Sequence, residues 1–187
     1  MSHGRDKGAM SDPLDHFEKG ADCMRCAALC CVALHFEKSA AFAIDKPAGV
    51  PCPNLADNNL CSIHDKLIPS GFRGCVRYDC GGAGQYVVEK MFDGRSWQDD
   101  PSLLMPMMEA FADIVRIHEL AGMLREAEKL PLPPRVEAER QRHAKALLPE
   151  GEVWEKEAAW EFLWSPEHGE IREFLRSLAP YAGSLRQ

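Results

Sequence analysis

The chain has 187 residues, of which 45% are hydrophobic, and a formal net charge of -7. This length supports one ordinary core with an appended subdomain, so its size alone does not require disulfides for stability. From Cys23 to Cys80 six lysines and arginines face five acids, which leaves -8 on the remainder of the chain. Because this charge repels phosphate and the cysteine-containing segment has no basic stripe, we expect no nucleic-acid partner.

The N-terminal segment, residues 1–20, contains one predicted helix. Asp12 is a favourable cap, Pro13 suits the first helical position, and Gly20 is expected to end the helix after about Lys19. Neither this segment nor any later one contains the uncharged apolar stretch of a signal peptide or a membrane span. We therefore expect a cytoplasmic protein that has no membrane partner and keeps its thiols reduced.

All eight cysteines lie in the next segment, residues 21–84, with the spacing C-x2-C-x3-CC and then C-x8-C-x13-C-x4-C. Thiols that only fill a core would be scattered along the chain and would not favour the short gaps that bring two sulfurs to one ion. A disulfide framework is the alternative for such a pattern. The predicted metal ligands are Cys23, Cys26, Cys30, Cys31, Cys52, Cys61, Cys75 and Cys80.

The local structure of this segment is predicted to be dominated by loops. Cys23, Cys26 and Cys30 would share one face if residues 23–31 were helical, and Cys31 would point about a quarter-turn away. Residues 32–53 carry turn signals in place of helix signals. The sequence therefore predicts a cysteine module whose shape depends largely on bound metal.

Eight thiols suffice for two tetrahedral zinc ions, for one iron-sulfur cluster with four ligands to spare, or for one of each. The spacing does not assign which cysteines share a centre. The vicinal Cys30 and Cys31 cannot easily enter one small tetrahedron together, which favours two nearby centres or a larger polynuclear one. Zinc is the preferred ion, but a single C-x2-C pair, where zinc ribbons have two, keeps an iron-sulfur cluster as the alternative.

Two histidines lie in the same segment, His35 and His64. Because eight thiols already saturate two tetrahedral sites, we interpret both as surface residues or as hydrogen-bonding neighbours of the ligands. Asp45, Asp65 and Asp79 are interpreted as turn residues whose carboxylates accept hydrogen bonds from backbone amides.

The cysteine pattern, together with CPNLADNNLCSIHD and GCVRYDC, resembles the YkgJ-like CxxCxxCC domain, a zinc- or iron-chelating family. The resemblance covers about residues 23–80, where all eight cysteines match, as do the spacers Leu55, Ile63 and Tyr78. The stretches FAIDKPAGVPCPNL and CGGAGQ are also similar to the N-terminal cysteine module of some actinobacterial pentapeptide-repeat proteins. No pentapeptide repeat occurs in this chain.

Two features depart from the usual family pattern, namely an extra residue between Cys26 and Cys30 and a longer run before Cys75. The resemblance implies a bacterial protein that chelates metal, and it implies no reaction. A related cysteine signature occurs in flagellin lysine-N-methylases, so an iron-sulfur protein with redox or methyl-transfer activity is the alternative function. Because the chain has no glycine-rich nucleotide fingerprint and no hydrolase motif, we assign no catalytic residue and expect a non-catalytic protein.

Residues 85–187 are predicted to form an antiparallel helical bundle, which makes the fold mainly α with a small loop-rich cysteine module in front. The tryptophans of this region are predicted to anchor the bundle, and a surface for a protein partner is the alternative. Hydrophobic periodicity and capping residues predict helices over residues 100–129, 135–145, 153–164 and 165–178.

Overall fold

The computed structural model describes residues 12–183 of the chain. Helices dominate these residues, and extended structure is limited to two isolated antiparallel bridges, Phe36 with Lys46 and Leu55 with Cys61. The predicted mainly α fold is therefore confirmed. None of the helices in the described part of the chain is both long enough and apolar enough to cross a lipid bilayer.

The helices fall into short elements within the cysteine segment and longer elements after residue 100. Single 3₁₀ turns occupy Pro13–His16, Cys23–Arg25, His64–Lys66 and Pro101–Leu103. The remaining helices are α1 (Leu29–Ala33), α2 (Arg73–Arg77), α3 (Ala83–Tyr86, continued by a π-helical turn Val87–Met91), α4 (Leu104–Ala127), α5 (Pro134–Ala146), α6 (Lys156–Leu163), α7 (Pro166–Ser177) and α8 (Ala179–Ala182).

The first predicted helix is shorter than its sequence signals indicate. The side chain of Asp12 caps it by accepting a hydrogen bond from the Leu14 amide at 2.8 Å, as predicted. The guanidinium of Arg125 then donates to the carbonyl oxygens of Leu14 at 2.6 Å and Phe17 at 3.0 Å. These carbonyls are bound by a distant side chain, so the helix ends after one turn.

Residues 23–31 do not form one helix, so the face that a helix would give Cys23, Cys26 and Cys30 is absent. The chain forms a 3₁₀ turn at Cys23–Arg25, breaks, and restarts as α1 at Leu29. At the break Ala28 has a φ of +52°, and the Ala27 carbonyl accepts a hydrogen bond from the indole Nε1 of Trp97 at 2.7 Å. A left-handed residue other than glycine costs about 1–3 kcal/mol, so contacts from elsewhere in the fold must hold this break.

The long helix α4 lies at the centre of the molecule and packs against α1, α3, α5, α6 and α7. Its start after Asp100 agrees with the prediction, since the Asp100 side chain accepts from the Ser102 amide at 3.0 Å. One hydrophobic core includes Leu29 and Val32 of α1 together with the buried side chains of α4 to α7. The predicted boundary between the cysteine module and the helical region, at residues 84 and 85, stays a prediction. The hydrophobic core is continuous across this boundary.

The C-terminal helices begin and end close to their predicted limits. Ser165 caps α7 by accepting a hydrogen bond from the His168 amide at 3.3 Å. The prediction that the tryptophans anchor the bundle is correct for Trp154, which is buried, and wrong for Trp160 and Trp164, which are 56% and 71% exposed. Helix α6 instead buries the face that carries Ala159, Phe162 and Leu163.

Replacement of Glu137 by alanine is expected to lower the free energy of unfolding by about 2–3 kcal/mol. The guanidinium of Arg140 is 2% exposed and donates to both Glu137 carboxylate oxygens, at 2.8 and 2.7 Å. Removing the carboxylate leaves a buried charge unpaired, although solvent at the 31% exposed Glu137 reduces the cost. Urea denaturation measures the change.

The matched control is Glu139→Ala on the same helix. The Glu139 carboxylate lies 3.8 Å from Arg142, and these two side chains are 50% and 57% exposed. The carboxylate also lies 3.9 Å from the buried His143, but burial lowers the pKa of that imidazole, so it carries no charge at neutral pH. Such surface pairs contribute about 0–1 kcal/mol to stability, so the control should have nearly the same free energy of unfolding as the unmodified protein. Equal losses in both variants would contradict the assigned role of Glu137.

Candidate metal centre

Four cysteines from separate elements are electrostatic neighbours and form what we call set A: Cys23, Cys26, Cys30 and Cys80. Burial, together with the charges of Cys80 and Cys23, raises the pKa of Cys26 to about 11. Burial also raises the pKa of Cys23, and the largest charge acting on that thiol is Cys80. The four thiols therefore share one small region although Cys80 is far from the others in sequence.

Gly84 of α3 lies directly against set A. A Cβ atom placed on Gly84 would be 2.5 Å from the Sγ atom of Cys26 and 3.9 Å from that of Cys80. Real Cβ atoms essentially never approach a heavy atom within 3.0 Å, so only glycine leaves room for the Cys26 sulfur here. The backbone of α3 thus forms one wall of set A.

The remaining cysteines form set B: Cys31, Cys52, Cys61 and Cys75. The Cys52 amide donates to the Cys31 carbonyl at 3.0 Å, and the Leu55 amide donates to the Cys52 carbonyl at 2.9 Å. Leu55 in turn forms an antiparallel bridge with Cys61. Burial, together with the charges of Cys31, Cys52 and Cys61, raises the pKa of Cys75 to about 11.

Adjacent residues of α1 connect the two sets. The side chains of Cys30 and Cys31 are neighbours, and their interaction raises the pKa of Cys30 and lowers that of Cys31. Burial adds to the increase at Cys30, and the Lys46 charge adds to the decrease at Cys31. The vicinal pair thus contributes one thiol to each set.

Gln85 fixes the chain where it enters set A. Its Oε1 atom accepts from the Asp22 amide at 2.7 Å, and its Nε2 atom donates to the Gly20 carbonyl at 3.2 Å. The side chain is 2% exposed, so both bonds are shielded from water. Nothing in the sequence singled out Gln85, because its partners are more than 60 residues away along the chain.

Asp79 performs the structural role predicted for it. One carboxylate oxygen accepts from the Gly81 amide at 2.8 Å and from the Ala21 amide at 3.2 Å. Asp45 similarly accepts from the Lys38 amide at 2.7 Å. Both carboxylates are therefore occupied by backbone amides.

The sulfurs are neighbours without forming a closed cage. Across residues 12–183 no three or more His, Cys, Asp or Glu side chains are grouped so that they could hold a metal ion. A zinc–sulfur bond is about 2.3 Å long, whereas charges act over longer distances. The cysteines can therefore raise one another's pKa values although they are not grouped closely enough to hold an ion. All eight cysteines are free thiols, of which Cys52 and Cys80 are buried and Cys23 is exposed.

Several donor groups suit thiolate sulfur at these positions. The Leu29 amide acts to lower the pKa of Cys26, and the Ile63 amide acts to lower the pKa of Cys61. The buried hydroxyl of Tyr78 has no hydrogen-bond partner within the described residues. Burial raises the pKa of that hydroxyl, followed by the thiolate charges of Cys80 and Cys30. The donor chemistry therefore fits a soft metal ion bound by sulfur.

The two histidines are exposed, as one of the sequence interpretations expects. The Nε2 atom of His35 lies 3.4 Å from the Glu37 carboxylate, and His64 begins an exposed 3₁₀ turn. Lys46 is a second residue, besides Gln85, that sequence reasoning missed. It lies in a predicted turn, yet its side chain is 2% exposed and its charge acts on Cys31.

The chain is similar to the uncharacterized protein YybG of Bacillus subtilis (strain 168). The two are 42% identical over 124 residues, which are 66% of this chain and 44% of the relative. The chain thus matches less than half of the length of that relative. No protein-family model and no solved structure matches the chain, so the YkgJ-like resemblance rests on the cysteine pattern.

Proposed function

We propose that this chain is a metal-binding protein in which the eight cysteines hold two zinc ions, one in set A and one in set B. The observation that supports this most is that eight free thiols lie in one module, with Cys26 and Cys80 both against Gly84 and with Cys31, Cys52 and Cys61 linked through backbone contacts. Eight thiols are the number that two tetrahedral zinc sites require. The ions would then supply folding free energy to the loops between the ligands.

A structural role for the ions fits the surroundings of both sets. Between residues 34 and 75 the buried side chains are few: Phe36, Lys46, Cys52, Leu67 and Phe72. So small an apolar core cannot by itself offset the conformational entropy of about 40 ordered residues. Metal binding would provide the missing stabilisation.

The proposal includes an interaction role. Helix α6 exposes Trp160 and Trp164, whose ring centroids are 6.2 Å apart. Exposed tryptophans are enriched where proteins bind one another, so this pair supports a protein partner.

Metal analysis of anaerobically purified protein tests the proposal, with an expected content of about two zinc ions per chain. Cys26→Ser and Cys61→Ser should each retain about one ion, because each removes a ligand from a different set. His64→Ala is the matched control and should retain both ions, since His64 is exposed.

Other results would replace this proposal. Iron together with acid-labile sulfide and a broad visible absorption band would favour the iron-sulfur alternative with redox or methyl-transfer activity. Protein without zinc or iron, in which mass spectrometry finds four disulfides, would exclude both metal hypotheses.

A further inference from the structure

Lys46 is a lysine whose charged end lies inside the cysteine module. The side chain is 2% exposed, and its Nζ atom donates to the carbonyl oxygens of Val50 at 2.9 Å, Pro47 at 3.1 Å and Val32 at 3.2 Å. The ring of Phe36 lies below the ammonium, 4.9 Å from Nζ to the ring centroid. Three carbonyls account for all three N–H groups of an ammonium, so no donor remains for sulfur.

These contacts do not supply an opposite full charge. Lys46 takes part in no ion pair within residues 12–183. The adjacent Asp45 carboxylate accepts from the Lys38 amide instead. A buried ammonium without a counter-ion is unfavourable, so a negative charge close to Lys46 is expected.

The groups whose charge would act on Lys46 once they are deprotonated are the thiols of Cys52, Cys31 and Cys30. The backbone holds them in place, because Lys46 and Phe36 exchange two hydrogen bonds of 2.9 Å and the Cys52 amide bonds to the Cys31 carbonyl. Cysteine is uncharged at neutral pH unless its environment or a metal stabilises the thiolate. Lys46 therefore acquires nearby negative charge when set B binds a metal ion.

We propose that Lys46 is the counter-ion of the metal centre formed by set B. Four thiolates and one divalent ion carry a net charge of -2, which the Lys46 ammonium partly neutralises in a region from which water is excluded. This inference rests on the proposed metal-binding function and adds that the two centres differ, because the buried ammonium serves set B. Set B should consequently lose affinity when the charge is removed.

Three substitutions separate charge from hydrogen bonding. Lys46→Met removes both, Lys46→Gln removes the charge but keeps an N–H donor group, and Lys46→Arg keeps the charge. Lys66→Met is the control, since Lys66 is an exposed lysine in the 3₁₀ turn that follows Cys61. In zinc-loaded protein, chelator titration with alkylation of released thiols and peptide mass spectrometry measures the ion affinity of each set separately.

The Met and Gln variants should bind zinc at set B at least about tenfold more weakly, the size expected for one unit charge a few ångströms away in a protein interior. The Arg and Lys66→Met variants should remain within about threefold of the unmodified protein at set B. Set A should lose less affinity than set B in the Met and Gln variants, because Cys30 is the one set A ligand whose charge acts on Lys46. Unaltered set B affinity in both Met and Gln would overturn the inference and leave the proposed function intact, whereas unmodified protein without zinc would remove both.

A measurement on the unmodified chain does not depend on whether the variants fold. Coupling between two sites is reciprocal, so a metal ion stabilised by the ammonium must stabilise the ammonium in return. In protein that contains ¹⁵N-labelled lysine, the Nζ resonance of Lys46 reports whether the side chain is protonated. Lys46 should stay protonated to a higher pH in zinc-loaded protein than in chelated protein. Deprotonation at the same pH in both forms would overturn the inference.

Discussion

Removal of zinc is expected to unfold residues 34–75 while helices α4 to α7 remain folded. The loops in this range bury few apolar side chains, whereas α4 contributes Met107, Phe111, Ile114 and Leu124 to a continuous core. Structural zinc sites in small domains supply about 10–16 kcal/mol of apparent binding free energy, which the loops would lose on chelation. The helices would lose only their contacts with the module.

Hydrogen exchange followed by mass spectrometry measures this effect by region. In chelated protein, amides of residues 34–75 should exchange nearly as fast as those of an unfolded chain, and far-UV circular dichroism should retain most of its helical signal. Re-addition of zinc should restore protection, which controls for irreversible damage. Identical protection of these residues with and without zinc would contradict a structural role for the ions.

Gly84→Ala is expected to abolish zinc binding at set A. The new methyl group would lie 2.5 Å from the Cys26 sulfur, too close for the sulfur to stay in place. The cysteine side chain can relieve the contact by turning away, but it then leaves the set of ligands. Because α3 forms the wall of set A, the metal content should fall from about two ions to about one.

Gly122→Ala in α4 is the matched control, since nothing lies within 4 Å of a Cβ at that position. This control should keep both ions and gain about 0.5–1 kcal/mol of stability from the better helix former. In chelated protein the Gly84 variant should have a free energy of unfolding close to that of the unmodified chain, because a free thiol can turn away at little cost. Full zinc content in Gly84→Ala would contradict the assignment of Cys26 to set A.

Signals that act between neighbouring residues made parts of the fold predictable. Asp100 followed by proline indicated the start of the long helix, and Ser165 followed by proline indicated the start of α7. Both predictions hold because the cap is formed by a side chain only two or three residues from the amide it binds. The clustering of the cysteines was equally visible in the printed sequence.

The arrangement of the candidate site was not predictable in the same way. The break at Ala28 depends on a hydrogen bond from Trp97, 70 residues away from Ala27, and the exposure of Trp160 depends on which face of α6 meets α4. Helical periodicity favoured a buried Trp160, which is wrong, and it gave Cys23, Cys26 and Cys30 one face only for a helix that does not form. Such contacts between residues that are distant in sequence exist only in the folded chain.

The sequence by itself determined a helical protein with eight clustered thiols and the limits of its longer helices, since spacing and capping are local properties. Only the tertiary structure decided how Cys30 and Cys31 are divided between two sets, how Gly84 adjoins Cys26, and that Lys46 is buried. These features join segments that are distant along the chain, and the packing of α1 and α3 against α4 brings such segments together.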